Sequence, residues 1–234
     1  GLIFGLNKRY SNGMATLHRG IAVIVDVSKS RSHPDRRELQ GLLERAFGTV
    51  NELVDATQPL EATVGDEFQA VYADLGLAVR ATLLARLALP DGVDCRFGLG
   101  HGELRTVGEG KAGPLQDGSA WWSARDAITE ARDREYAKQP FLRTWFRSAE
   151  GSPLDAVAPA SEDFVNAYLT TRDHLVTAMS ARERRLLLGQ LLGDTQSELA
   201  DREQITQSAV SQNLRRSGAS AVLAGETLLA GGRP

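Results

Sequence analysis

Two acids in this chain stand where chemistry could be done. Asp26 closes the apolar run "GIAVIVDV" at 20–27, and Asp66 sits in "ATVGDEFQAV" at 62–71, between two short apolar stretches. Gly65–Asp66 suits the tight loop of a hairpin, because both residue types tolerate the backbone angles such loops need. It equally suits a carboxylate held at a hairpin tip. If the flanking strands are neighbours, Asp26 and Asp66 converge at one sheet edge. Two convergent carboxylates offer hard oxygen ligands to Mg2+, with phosphate and water completing its shell. The segment "DVSKSRSHPDR" beside Asp26 adds the hydroxyls of Ser28 and Ser30, N–H groups at a strand end, and the cations Lys29, Arg31 and Arg36. Such groups cradle phosphate. Alone, Asp26 reads as a cap and the cations as a solvated face; together they read as a metal–nucleotide site.

The elements that must position these residues follow from periodicity. Residues 20–27 are rich in β-branched side chains and predict a strand buried on both faces. Apolar residues at Leu39, Leu42, Leu43, Ala46, Phe47, Val50 and Val54 predict a helix over 35–55. Strands are expected at 60–64 and 67–72, and a second helix at 75–89, stopped by Pro90. "CRFGLGHGEL" at 95–104 predicts a strand in which Gly98, Gly100 and Gly102 leave one face bare for another backbone or a ligand. A third helix is expected at 118–133 and an edge strand at 140–146. The fold class expected is α+β, one sheet with helices mainly on one face.

Composition shifts at 148–160, "SAEGSPLDAVAPA", which reads as a linker. Helices follow at 161–179, 180–192, 195–203, 206–216 and about 219–230. The expected organisation is a tag or leader at 1–13 ahead of Met14, a sheet domain at 14–147, the linker, and an all-α domain at 161–234. Ser180 with Glu183, and Thr195 with Glu198, have capping-box spacing.

The second capping box opens "TQSELADREQITQSAVSQNLRR". This stretch resembles the helix-turn-helix of bacterial transcription regulators. Leu199 and Ala200 fall in its first helix, Ile205 in its turn, and Thr206 at the cap of its second helix, with Val210 and Leu214 facing inward. The resemblance implies that Thr206, Gln207, Ser208, Ser211, Gln212, Arg215 and Arg216 meet DNA, the amides and hydroxyls at base edges and the arginines at phosphates. Two positions depart from the pattern. Glu203 stands where a Leu is usual and Gln204 where a Gly is usual, so the turn should differ from the standard one. A plain helical dimerisation module is the other reading.

Composition bounds the rest. The 234 residues are 42% hydrophobic and 24% charged, with a net charge of −3, so bulk charge does not mark a polyanion binder. The single cysteine, Cys95, lies in an apolar run and reads as a small buried hydrophobe. The four histidines are scattered and give no zinc spacing. No stretch of membrane-spanning length is apolar throughout, so a soluble, cytoplasmic protein with no membrane partner is expected.

In order along the chain, Asp26 in its strand, "GDEFQAVY", "RFGLGHGEL" and "DGSAWWSAR" resemble the class III nucleotide cyclases and, more distantly, the GGDEF diguanylate cyclases, over residues 20–133. That resemblance implies a ferredoxin-like, palm-type sheet, with metal-binding aspartates at Asp26 and Asp66 and a transition-state arginine at Arg125. The Asn that should precede this arginine by four positions is Trp121, which lacks the oriented amide and argues against efficient cyclisation. With the linker and helix-turn-helix added, residues 20–225 resemble the SatD family. The reading implied is a DNA-binding transcription regulator, expected as a homodimer. Its catalytically degenerate cyclase-like domain senses a nucleotide with Mg2+, or only dimerises, in which case Trp121 and Trp122 would be anchors. The alternative is a Mg-dependent cyclase or other nucleotide-processing enzyme using Asp26 and Asp66.

Overall fold

The structure is a computed structural model and describes residues 17–28, 35–63, 67–110, 113–150 and 161–229. Six strands and eight helices occur among them: β1 (Leu17–Ser28), α1 (Arg36–Leu53), β2 (Gln58–Ala62), β3 (Glu67–Tyr72), α2 (Leu75–Ala88), β4 (Asp94–Gly110), β5 (Gly113–Asp117), α3 (Ser119–Ala137), β6 (Thr144–Ser148), α4 (Ser161–Ala178), α5 (Ala181–Leu191), α6 (Gln196–Glu203), α7 (Gln207–Arg216) and α8 (Ala219–Leu229). The sheet order is β2-β3-β1-β4-β5, and β6 runs parallel to the first half of β4. The hairpin expected around Gly65–Asp66 is present as antiparallel β2 and β3, while residues 64–66 at its tip lie outside the described residues.

β1 is central, and its alternation divides the core in two. Ile21, Val23, Val25 and Val27 join the cluster that contains α1 and α2. Ala22 and Ile24 join a second cluster with Ala120, Ala124 and Ile128 of α3. Helices therefore cover both faces, which corrects the expectation of helices mainly on one. The cause lies in β4. A Cβ at Gly100 would stand 2.1 Å from the Ala120 carbonyl oxygen, and one at Gly98 would stand 2.3 Å from that of Ala124. The bare face of this strand is thus filled by the backbone of α3, at a distance that leaves no room for side chains.

α2 explains how the helical half is attached. Its residues are apolar nearly all round, as in a helix enclosed on every side. The sheet lies against one side of it, while α5 and α8 pack against another. Leu169, Val176, Met179, Leu186 and Leu187 accordingly belong to the same core cluster as β1. α4 in turn closes the β6 edge: the Asn166 amide accepts from Phe146 N–H at 2.9 Å and donates to its carbonyl at 3.0 Å. An open strand edge is thereby covered. No helix among the described residues is long and apolar enough to cross a membrane.

Candidate functional site

The charged end of the α3 face brings together three of the residues singled out in the sequence, Asp26, Ser28 and Arg125. Residues directly opposite in antiparallel strands share a face, and Asp26 stands opposite both Glu67 on β3 and Arg96 on β4. The next pairs along, Ile24 with Gln69 and Gly98, begin the apolar layer under α3. α3 then brings Arg125, Arg132 and Glu135 over the charged triplet. The two carboxylates nearest one another in register are therefore Asp26 and Glu67. Asp66, the partner expected from sequence, lies outside the described residues.

Each of these carboxylates is held by an arginine from α3. Arg125 forms a bidentate pair with Glu67 at 2.5 and 2.9 Å, the fork geometry that suits guanidinium to carboxylate. Burial pushes the Glu67 carboxyl up, but hydrogen bonds from Arg125 and Gln69 outweigh it and leave it below the usual range. Asp26 accepts from Arg132 on one oxygen and, at 2.8 Å, from Arg96 on the other. The holders differ in exposure. Arg125 and Arg132 are 54% and 47% exposed, whereas Arg96 is 6% exposed and also bonds Glu135 at 2.8 Å.

The other expected site residues are placed as follows. The Ser28 hydroxyl donates to Glu135 at 3.0 Å, so it points into this cluster rather than out to a ligand. Arg36 is exposed on the first turn of α1, after the Asp35 cap. Lys29, Ser30 and Arg31 lie outside the described residues. Trp121 is half-buried against the Ala22–Ile24–Val71 layer, and its indole N–H is buried with no hydrogen-bond partner among the described residues. Cys95 is buried, and burial, with Asp94 and Asp26 nearby, pushes its thiol well above the ordinary range, as its reading as a small hydrophobe requires.

Sequence reasoning missed the ion pairs that continue inward. Glu135 lies 3.3 Å from Arg143, which bonds Asp94 at 2.8 Å. Asp94 meets Arg86 of α2 at 3.3 Å, and Arg86 meets Asp173 of α4 at 3.2 Å. Asp173 also takes N–H bonds from Arg143 at 2.8 Å and Thr144 at 2.6 Å, and pairs with Arg172. Burial pushes Asp94 up, yet the guanidiniums of Arg86 and Arg143 outweigh it and hold it below its ordinary value.

At the far end, α6 and α7 are joined by residues 204–206. Gln204 adopts the left-handed conformation, φ 54° and ψ 46°, at the position where a helix end favours glycine. Glu203, also outside the expected pattern, reaches back to Arg185 of α5 at 2.7 Å through both carboxylate oxygens. Hydrogen bonding to Arg185 keeps its carboxyl below the usual range. Thr206 caps α7 by accepting from Ala209 N–H at 3.1 Å, and Val210 and Leu214 are buried. Thr206, Gln207, Ser208, Gln212, Arg215 and Arg216 are exposed, and Ser211 is half-buried.

Asp26 and Glu67 are the two carboxylates here that could hold a divalent cation. No group of three acids, histidines or cysteines suited to a metal occurs among the described residues. Mg2+, however, commonly takes only one or two carboxylates and completes its shell with substrate phosphates and water. Asp26 and Glu67 fit that demand, provided their arginines let go.

Two solved structures are similar to part of the chain. A bacterial light-regulated adenylyl cyclase is similar at 15% identity and a TM-score of 0.39, over 50% of this chain and 41% of that one, so the chain spans less than half of that protein. The catalytic core of a rhodopsin-guanylyl cyclase with converted specificity, in complex with ATPalphaS, is similar at 17% identity and a TM-score of 0.36, over 48% of this chain and 73% of that one. Among curated proteins none matches the sequence. The family model that does match covers residues 20–227, and the chain belongs to the SatD family.

Proposed function

We propose that this protein is a DNA-binding regulator controlled by a metal–nucleotide ligand. The observation that carries the reading is the register of Asp26 and Glu67 on one sheet face, each tied to a half-exposed arginine of α3. A nucleotide with Mg2+ carries both complements at once: a cation for the carboxylates and phosphates for Arg125 and Arg132. Binding is then an exchange of partners, in which no charge is left alone. Trp121 supplies no carboxamide beside Arg125, which favours binding over turnover.

DNA is the second partner. The exposed amides, hydroxyls and arginines of α7 sit behind a short turn from α6, and this supports a helix-turn-helix that presents α7 to the major groove. The shared core connects the sheet to these helices, and the buried ion pairs connect it to α4. For ligand to alter DNA binding, it must bind two arrangements of the protein with different affinity. The test is DNA affinity of the full chain, against a random-sequence library and the sequences it enriches, with and without Mg2+ plus ATP, GTP and their cyclic mono- and dinucleotides. The reading expects affinity to change with at least one of them and to fall in Arg215→Ala/Arg216→Ala. Equal affinity throughout removes it. Turnover of ATP or GTP that is lost in Asp26→Asn would replace the regulator with an enzyme.

A further inference from the structure

Three acids are buried among the described residues: Glu135, Asp173 and Glu226. Arginines pair with the first two at 2.8 and 3.2 Å. Glu226 is 5% exposed, yet no cation reaches ion-pair distance of it among the described residues. Its place in the sequence makes this odd. Ala219, Val222 and Glu226 are the buried residues of α8, at the spacing of a single helix face. An apolar side chain would complete that stripe, and a carboxyl stands there instead.

The surroundings are close-packed and their donors are mostly spent. A Cβ at Gly225 would stand 2.5 Å from the Tyr168 ring, and one at Gly218, just before α8, 2.8 Å from Leu175, so two glycines let α8 lie against α4. The Tyr168 hydroxyl donates to the Glu226 carboxyl at 2.9 Å. Two charges act on the group, Arg172 of α4 and Arg80 of α2. Arg172 gives its N–H groups to the Val79 carbonyl, Thr82, Thr144 and Asp173. Arg80 gives one to the Leu191 carbonyl at 3.0 Å. α5 and α7 also pack on α8 but bring no charge to bear on Glu226. A carboxylate shut away from water without a paired cation costs far more than the neutral acid. Burial accordingly pushes Glu226 up, against the weaker downward pull of Arg172, Tyr168 and Arg80.

We propose that Glu226 is a pH-sensitive latch for α8. Neutral, it completes the buried stripe and keeps its bond with Tyr168. Ionised, it draws water, and α8 loosens from α4 and α2. The folded group holds its proton to higher pH than the same group in the unfolded chain. Its stabilisation is therefore complete below the ordinary carboxylate range and is lost as pH rises towards the raised folded value. Asp94 and Glu67 act in the opposite direction, and their effect is common to the wild type and to any variant at 226. Because α8 also packs on α7, the latch acts on the support of that helix.

This inference stands apart from the nucleotide and DNA readings and is tested without either ligand. Glu226→Gln is the matched variant, since it keeps an oxygen for the Tyr168 hydroxyl and cannot ionise. Urea denaturation of both full chains from about pH 4.5 to about pH 8 gives their unfolding constants. The ratio of wild type to Glu226→Gln should grow with pH, by up to about tenfold per unit, until the folded value is passed. Amide exchange in α8, corrected for its intrinsic rate, should quicken with pH in the wild type and not in the variant. Carboxyl 13C NMR of the wild type alone, which does not depend on the variant folding, should place the Glu226 midpoint above those of exposed glutamates. A ratio that stays constant with pH, exchange in α8 that changes alike in both proteins, or a Glu226 midpoint in the ordinary range overturns the proposal. So does a Glu226→Gln protein less stable than the wild type at about pH 8, because Arg172 and Arg80 would then be holding a carboxylate.

Discussion

Asp26 and Asp173 are both aspartates gripped by two arginines, and they stand at opposite ends of one train of charge. Arg132, Asp26, Arg96, Glu135, Arg143, Asp94, Arg86, Asp173 and Arg172 alternate in sign from the sheet's charged end to α4. The ends differ in what else they touch. Asp173 is wholly buried, accepts two backbone N–H bonds at the start of β6, and has arginines that are themselves 3% and 0% exposed. Asp26 is 18% exposed, and Arg132 beside it is nearly half in water. The same pairing chemistry thus does two jobs. Where water is excluded and no replacement partner can enter, it fixes α4 to the sheet. Where one partner is hydrated, opening the pair costs little, which is what the proposed ligand exchange requires.

The largest effect should come from breaking the inner end. Asp173→Asn leaves Arg86 and Arg172 short of charge compensation inside the core and weakens the cap on β6. A loss of about 3–5 kcal/mol is expected, measured by urea denaturation. Asp26→Asn should cost less, about 1–2 kcal/mol, because Arg96 keeps Glu135 and Arg132 relaxes into water. If the two variants cost the same, the contrast between a fixed and an exchangeable pair is gone.

Acid should sharpen the difference. Asp94 and Glu67 both lie below their ordinary values in the folded protein. The unfolded chain therefore binds more protons as pH falls through the ordinary carboxylate range. The stabilisation from these groups is present above that range and is lost as pH falls towards their depressed folded values. Asp94→Asn should flatten this acid limb more than Glu67→Gln, because Asp94 is paired with two buried arginines and Glu67 with one exposed arginine. The smallest effect concerns salt. Raising ionic strength should shrink the stability gap between wild type and Asp26→Asn by a few tenths of a kcal/mol and leave the Asp173→Asn gap in place.

Local signals carried most of the fold. The runs at 20–27 and 95–104, the helical spacing of 35–55, and both capping boxes correspond to β1, β4, α1, α5 and α6. Each depends on residues within a few positions of one another. The alternate glycines announced a close approach but not by what, and the answer, α3, decided that both sheet faces are covered. The all-round apolar character of α2 was the available signal that helices would pack on its far side.

The site was less legible. The pairs Arg96–Asp26 and Arg132–Asp26 join residues 70 and 106 positions apart, beyond the reach of any spacing rule. Glu67 was visible in "GDEF", but only the register of β1 with β3 shows that it faces Asp26. The departures at Glu203 and Gln204 were visible too. Their resolution, a bidentate pair with Arg185 and a left-handed glutamine, needed the neighbouring helix α5.

The central claim is that the arginines on Asp26 and Glu67 yield to a metal and a phosphorylated ligand. Thermal unfolding of the wild type and Asp26→Asn, with ATP, GTP and their cyclic mono- and dinucleotides, each with and without Mg2+, tests it most directly. A ligand at a hundred times its dissociation constant stabilises the native state by about 2.7 kcal/mol, a clear rise in melting temperature. The account predicts such a rise for at least one nucleotide in the wild type, dependent on Mg2+ and absent in Asp26→Asn. No rise with any of them, or a rise that survives in Asp26→Asn, would contradict it.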